Sequence, residues 1–204
     1  MRVALLRHGQ TDWNVQRRYQ GFDGVDLNET GRAQAQEAGE RLKHLRLGRP
    51  GEAGPHWSWL ASSTSPRAIT TAKIIGQELG LDLTTRDPDL RERGFGAAEG
   101  MGIDDARAKW PNRAYPGGES VTQTRERVLR GLARVTAAHC DANGGGADGV
   151  IVTHGTSLRL IVWEVTGTDP GSLVNVALAL LDGDPSGWRL ALAPEPSEWQ
   201  SDLR

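Results

Sequence analysis

Two short apolar runs in this chain end in the same way. VALLRHG opens near residue 3 and VIVTHG near residue 150, and in each the hydrophobic residues stop at a histidine followed by a glycine. Runs of this length suit strands buried on both faces. Between them the pattern alternates. LNETGRAQAQEAGERLKHLRL places Ala35, Ala38, Leu42 and Leu45 on one helical face behind Asn28 as N-cap. WSWLASS reads as a second strand. A helix then opens at SSTSPRA, with Ser63 or Ser65 as cap and Pro66 in the first turn; Ala68, Ala72, Ile75 and Leu79 line one side, and Gly80 ends it. Ser120 and Gln123 form a capping-box signature for a third long helix carrying Val121, Val128, Leu132 and Val135. SLRLIVWEVTG follows VIVTHG as an apolar helix, and LVNVALALL and WRLALA form an antiparallel pair around DGDPSG, with Pro185 in the turn. Strands alternating with helices predict an α/β three-layer sandwich: a mostly parallel central sheet, helices on both faces and an antiparallel edge strand.

The stretches GRPGEAGPH and NGGGADG read as loops. From Asp87 to Gly118 the periodicity weakens into loops around a short helix near IDDARAKW. With 204 residues and no long Pro/Ser-rich linker, the whole chain, 1–204, is expected to be a single domain. A net charge of −2 argues against a general polyanion binder, so no nucleic-acid partner is expected and any affinity for phosphate has to come from clustered arginines. Cys140 is the only cysteine, which removes an intramolecular disulfide and the usual cysteine-based zinc sites. No metal and no cofactor are expected. The first apolar run is too short for a signal peptide or a membrane span, so the expectation is a cytoplasmic protein with no membrane partner. A homodimer is compatible with the sequence but cannot be read from it.

In an open α/β sheet, ligands bind beyond the carboxyl ends of the strands. The two His-Gly exits therefore deliver His8 and His154 to one edge, joined by Arg7 and by Arg67 on the first turn of a helix whose N–H groups favour anions. Planar guanidiniums paired with two imidazoles suit a phosphoryl group. No cysteine lies near a strand end, and there is no GxSxG elbow or Walker loop, so imidazole is the available nucleophile. His8 is the choice, kept neutral by its guanidinium neighbours. A departing alkoxide needs a proton, and LRERGFGAAEG offers Glu92 or Glu99. Glu92 is preferred because Arg91 and Arg93 beside it read as substrate-side charges.

These residues carry a resemblance. LLRHGQTDWN, YQG, LNETGRAQA, SSTSPRAITTA, LRERGFGAAEG, YPGGES and VTHGTSLR, in that order and covering most of the chain, resemble the histidine phosphatase superfamily, phosphoglycerate-mutase-like branch. The resemblance implies that His8 takes the phosphoryl group, that Arg7, Arg67 and His154 bind it, and that Glu92 donates the proton. It places Asn14, Gln20 and Gly21 in the pocket, with Thr11 and Thr156 as second contacts. The family holds mutases and phosphatases. Cofactor-dependent mutases carry a long insertion after the glutamate loop, whereas Glu92 to Gly118 is short here; the resemblance therefore implies a phosphatase of the broad-specificity type acting on a small phosphorylated metabolite. In GAAEG, where many relatives have an aromatic, Ala98 is expected to enlarge the leaving-group side. The alternatives are a phosphoglycerate-type mutase, a metallohydrolase using His8, His154 and Asp12, and a phospholigand-binding protein without turnover.

Overall fold

The computed structural model describes residues 1–22, 24–45, 55–140 and 146–197. Six strands form one sheet: β1 (Arg2–Arg7), β2 (Trp57–Ser63), β3 (Leu83–Asp87), β4 (Asp148–Thr153), β5 (Leu178–Asp184) and β6 (Gly187–Leu192). Their order is β3-β2-β4-β1-β5-β6. The first four in that order run parallel; β5 is antiparallel to β1, and β6 to β5. The helices are α1 (Asp12–Val15), α2 (Glu29–Lys43), α3 (Pro66–Leu79), α4 (Ile103–Lys109), α5 (Val121–Ala137) and α6 (Gly155–Thr166).

The period-two geometry of a strand sorts the apolar runs between two cores. Val3, Leu5, Ile151 and Leu181 face α5 and α6, where Val128, Leu132, Leu158 and Ile161 meet them. Ala4, Leu6, Val150, Val152 and Leu180 face α2 and α3, packing on Ala38, Leu42, Ala72 and Ile75. Burial on both faces is why β1 and β4 read as unbroken apolar runs. Strand β2 departs from strict alternation: its register shifts between Trp57 and Trp59, so Trp57 lies in the α2/α3 core and Trp59 in the α5/α6 core. Both indole N–H groups find carbonyls, Trp57 on Leu42 at 3.0 Å and Trp59 on Ala147 at 2.8 Å. A third cluster of Tyr19, Phe95, Ala98, Ala106 and Tyr115 supports the excursion between β3 and α5.

The caps follow the sequence closely. Asn28 accepts from the Gly31 amide, and both halves of the Ser120/Gln123 box form. Ser65 is the N-cap of α3 by conformation, but its hydroxyl donates to the Phe22 carbonyl instead of capping. The expected tail strand begins late. Residues 173–177 turn before β5 starts, with Val176 at φ 52°, because this stretch bonds back to the exit of β1. Strand β3 and the single turn α1 are additional to the predicted elements. Most of GRPGEAGPH and part of NGGGADG lie outside the described residues.

Candidate active site

Strands β1 and β4 are hydrogen-bonded neighbours with Arg7 opposite Thr153, so their next residues, His8 and His154, emerge side by side. Their ring centroids are 5.2 Å apart in an edge-on arrangement. The glycine after His8 is required by a close approach: a Cβ on Gly9 would lie 2.3 Å from the Gly31 carbonyl oxygen at the start of α2. Arg67, on the first turn of α3, is fully buried and bridges the two imidazoles. Its Nε donates to His8 Nε2 at 3.2 Å, and its Nη2 donates to His154 Nδ1 at 3.2 Å. Nη2 also donates to the carbonyls of Gln20 and Gly21, at 3.3 and 2.8 Å, fixing the guanidinium from the far side.

These contacts settle the tautomers. A guanidinium only donates, so His8 Nε2 and His154 Nδ1 both present lone pairs. His8 Nδ1 then donates to the Gly9 carbonyl at 2.7 Å, and His154 Nε2 to the Ser63 hydroxyl at 2.6 Å. Burial pushes both rings well below the ordinary histidine range, with Arg67 and Arg7 adding to the shift; the Gly9 carbonyl opposes it weakly at His8. The Arg7 side chain donates through Nη1 to the Leu173 carbonyl, while its buried Nε has no hydrogen-bond partner among the described residues. Burial pulls Arg7 below the usual arginine value against the pull of Glu92.

Arg7, His8, Asn14, Gln20, Glu92 and Thr156 line one cavity, with Arg67 and His154 packed against His8 and shielded from solvent. Glu92 Oε1 accepts from the Arg93 amide at 2.8 Å and Oε2 from the Thr156 amide, in the first turn of α6, at 3.1 Å. Asn14 belongs to the box that caps α1, and its Oδ1 accepts from Thr11 N and Asn175 Nδ2. Thr11 is fully buried as that N-cap and takes Gln20 Nε2 on its hydroxyl at 2.6 Å, so it acts behind the cavity wall. Gly21 contributes its carbonyl to Arg67.

Several expectations change here. Glu99 is not among the cavity-lining residues; its carboxylate faces Gly21 and accepts from the Phe95 amide. Arg91 and Arg93 face the scaffold, donating to the Pro88 and Glu119 carbonyls, and neither lines the cavity. Ala98 sits inside the third core cluster instead of widening the cavity. Asp12 is exposed and accepts from Asn28, and among the described residues no three His, Cys, Asp or Glu side chains, this trio included, are placed to share a metal ion. The cavity rim adds Arg17, Arg18, Arg107 and Arg159 beside Trp13 and Leu173. Asn175 is a support that the sequence reading missed: its Nδ2 reaches the His8 carbonyl at 3.2 Å as well as Asn14. An Asn inside an apolar run is the signal that marks it.

The histidine phosphatase superfamily (branch 1) matches the chain over residues 3–194. An uncharacterized phosphatase, PhoE, of Bacillus subtilis (strain 168) is 34% identical over 192 residues, covering 92% of this chain and 91% of that protein. A 2,3-bisphosphoglycerate-dependent phosphoglycerate mutase of Beijerinckia indica is 35% identical over 193 residues, covering 86% of each. Among solved structures, a mycobacterial glucosyl-3-phosphoglycerate phosphatase in complex with VO3 superposes with a TM-score of 0.78 at 28% identity, covering 96% of this chain and 99% of that one.

Proposed function

Because the chain belongs to the histidine phosphatase superfamily, we propose that it hydrolyses small phosphomonoesters through a phosphohistidine at His8. The observation that carries this reading is the Arg67 bridge: one buried guanidinium holds the lone pairs of two neutral imidazoles at the floor of a cavity lined by Glu92. A phosphoryl group entering the cavity draws N–H donors of Arg7 and Arg67 onto its oxygens, Arg67 Nε leaving His8 Nε2, while His154, whose Nε2–H is held by Ser63, positions Arg67 from behind. The freed lone pair of His8 Nε2 attacks phosphorus, the N–P bond forms, and the P–O bond to the alcohol breaks as Glu92, entering this step in its protonated form, gives its proton to the departing oxygen. Water then attacks phosphorus, Glu92 takes its proton, and the N–P bond breaks to release inorganic phosphate. The guanidiniums stabilise the charge on the transferring group.

Five arginines and one carboxylate line the cavity, which favours anionic substrates of small size. A small phosphorylated metabolite and a cytoplasmic setting are part of the reading; among the described residues no helix is long and apolar enough to cross a membrane. Brief incubation with a 32P-labelled phosphomonoester tests it. An acid-labile, alkali-stable label on the protein, absent from His8→Ala, is expected, together with free phosphate as product. The similarity to a phosphoglycerate mutase supports a second reading, in which product analysis finds the phosphoryl group on another hydroxyl instead of in solution.

A further inference from the structure

The segment that carries Glu92 has no strand or long helix to hold it, yet its carbonyls are satisfied one after another by side chains. Thr153 Oγ1, from β4, donates to the Leu90 carbonyl at 2.7 Å, and Ser157 Oγ, from α6, to Arg91 at 2.7 Å. The rest fall to a single residue of α5, Arg127, which is buried. Its Nη1 donates to the carbonyls of Asp89 and Arg91, at 2.8 and 2.9 Å. Its Nη2 donates to the Glu92 carbonyl at 3.0 Å and to Glu119 Oε2 at 2.6 Å, and its Nε donates to Glu119 Oε1 at 2.8 Å. A guanidinium has five N–H donors, and here all five are used.

Glu119 completes the clamp from the other end of the excursion. Its carboxylate also accepts from the Gly94 amide at 2.9 Å, two residues after Glu92, and its own amide donates to the Gly94 carbonyl at 2.8 Å. Burial raises the Glu119 carboxyl, but Arg127 and the Gly94 amide outweigh it and hold the group below the ordinary carboxylate range. The ion pair therefore stays charged and grips Glu92 on both sides, at carbonyls 89, 91 and 92 and at amide 94. Neither Arg127 nor Glu119 lines the cavity.

We infer that Arg127 and Glu119 are positioning residues for the proton donor, and that they act on departure of the alcohol without acting on capture of the phosphoryl group. The inference rests on the reading of Glu92 as proton donor. Its signature is a dependence on leaving group. An alkoxide cannot depart without a proton, whereas p-nitrophenolate leaves unaided. Only the alkyl ester should respond when Glu92 drifts by a fraction of an ångström.

The experiment compares kcat/KM for glycerol phosphate and p-nitrophenyl phosphate, because kcat/KM reports the steps up to phosphoryl transfer. Removing both charges together in Arg127→Met/Glu119→Gln avoids stranding one of them in the interior. For this variant kcat/KM should fall about 30- to 100-fold on glycerol phosphate and less than about threefold on p-nitrophenyl phosphate. Arg127→Lys, with three donors on one nitrogen, should show the same bias at smaller size. It also serves as the test if the double variant does not fold, as judged by thermal unfolding. Equal losses on both esters would show a merely structural role and overturn the inference, as would no loss on either. Wild-type protein that turns over both esters by a label-forming route while the variants show no bias defeats the inference and leaves the proposed function standing. Wild-type protein that releases phosphate from neither ester removes both.

Discussion

The floor of the site and the loop that brings Glu92 to it are built by different means. The floor is backbone architecture: β1 and β4 pair in register, and His8 and His154 leave the sheet as neighbours because their strands are neighbours. The Glu92 loop, from Asp87 to Glu119, instead hangs from side chains of β4, α5 and α6. A floor made of strands has its geometry set once the sheet forms, whereas the placement of a loop made of side-chain hydrogen bonds depends on a few individual residues. Floor substitutions should therefore damage all substrates alike, and loop substitutions should discriminate by leaving group.

His8→Ala gives the strongest test of that division. Loss of the nucleophile should lower phosphate release by on the order of 10⁵-fold, on glycerol phosphate and p-nitrophenyl phosphate equally. Glu92→Gln should separate the two esters, lowering kcat/KM by about 10²- to 10⁴-fold for the alkyl ester with little change for the aryl one. Arg67→Lys removes the fork that joins both imidazoles; a loss of about 10²- to 10³-fold on both esters is expected. A strong preference between esters in that variant would erase the distinction between floor and loop. Ser157→Ala releases one loop carbonyl that Arg127 still holds. It should cost about 1 kcal/mol in chemical denaturation and shift the alkyl-to-aryl ratio by only a few-fold.

The floor also predicts a dependence on pH, in stability and not in the choice between esters. His8 and His154 are held neutral in the folded protein, well below the ordinary value of 6.5. As pH falls below that value the unfolded chain takes up protons that the folded chain refuses, so stability present above it is lost on the way down through the folded-state values. Each histidine contributes a slope of up to about 1.4 kcal/mol per pH unit in this window. Denaturation midpoints measured from pH 7 to 5 should fall, and His154→Asn should flatten the fall. The acid limb of kcat/KM for the wild type should lie below 6.5 for the same reason.

The same contrast explains what could be read from the sequence. The apolar strands, the α2, α3 and α5 faces, the Asn28 and Ser120 caps and the paired His-Gly exits each carry a local pattern with a physical cause, and the convergence of His8, His154, Arg7 and Arg67 follows from strand order. The loop has no such period, so its spatial logic was invisible. Arg91 and Arg93 read as substrate-side charges because they flank Glu92, but they face the scaffold; Arg127, 35 residues away, carries no local pattern that ties it to Glu92. Strand β3 has no apolar run to mark it: LTTRD holds a single apolar residue, Leu83, and exposes Thr84 and Arg86 at the edge of the sheet. Asn175 was absorbed into an apolar run whose turn at Val176 depends on contacts with the end of β1.

The irregularity in β2 has a consequence of its own. A regular strand would have turned Trp57 and Trp59 to the same side, but the shift sends one indole into each core. Among the described residues, Trp57 is thereby the one tryptophan of the α2/α3 core, whereas Trp59 shares the α5/α6 core with Trp163 and Trp188. The fluorescence that Trp57→Phe removes from the refolding signal therefore reports the assembly of the α2/α3 half, while the other half is reported by three indoles together.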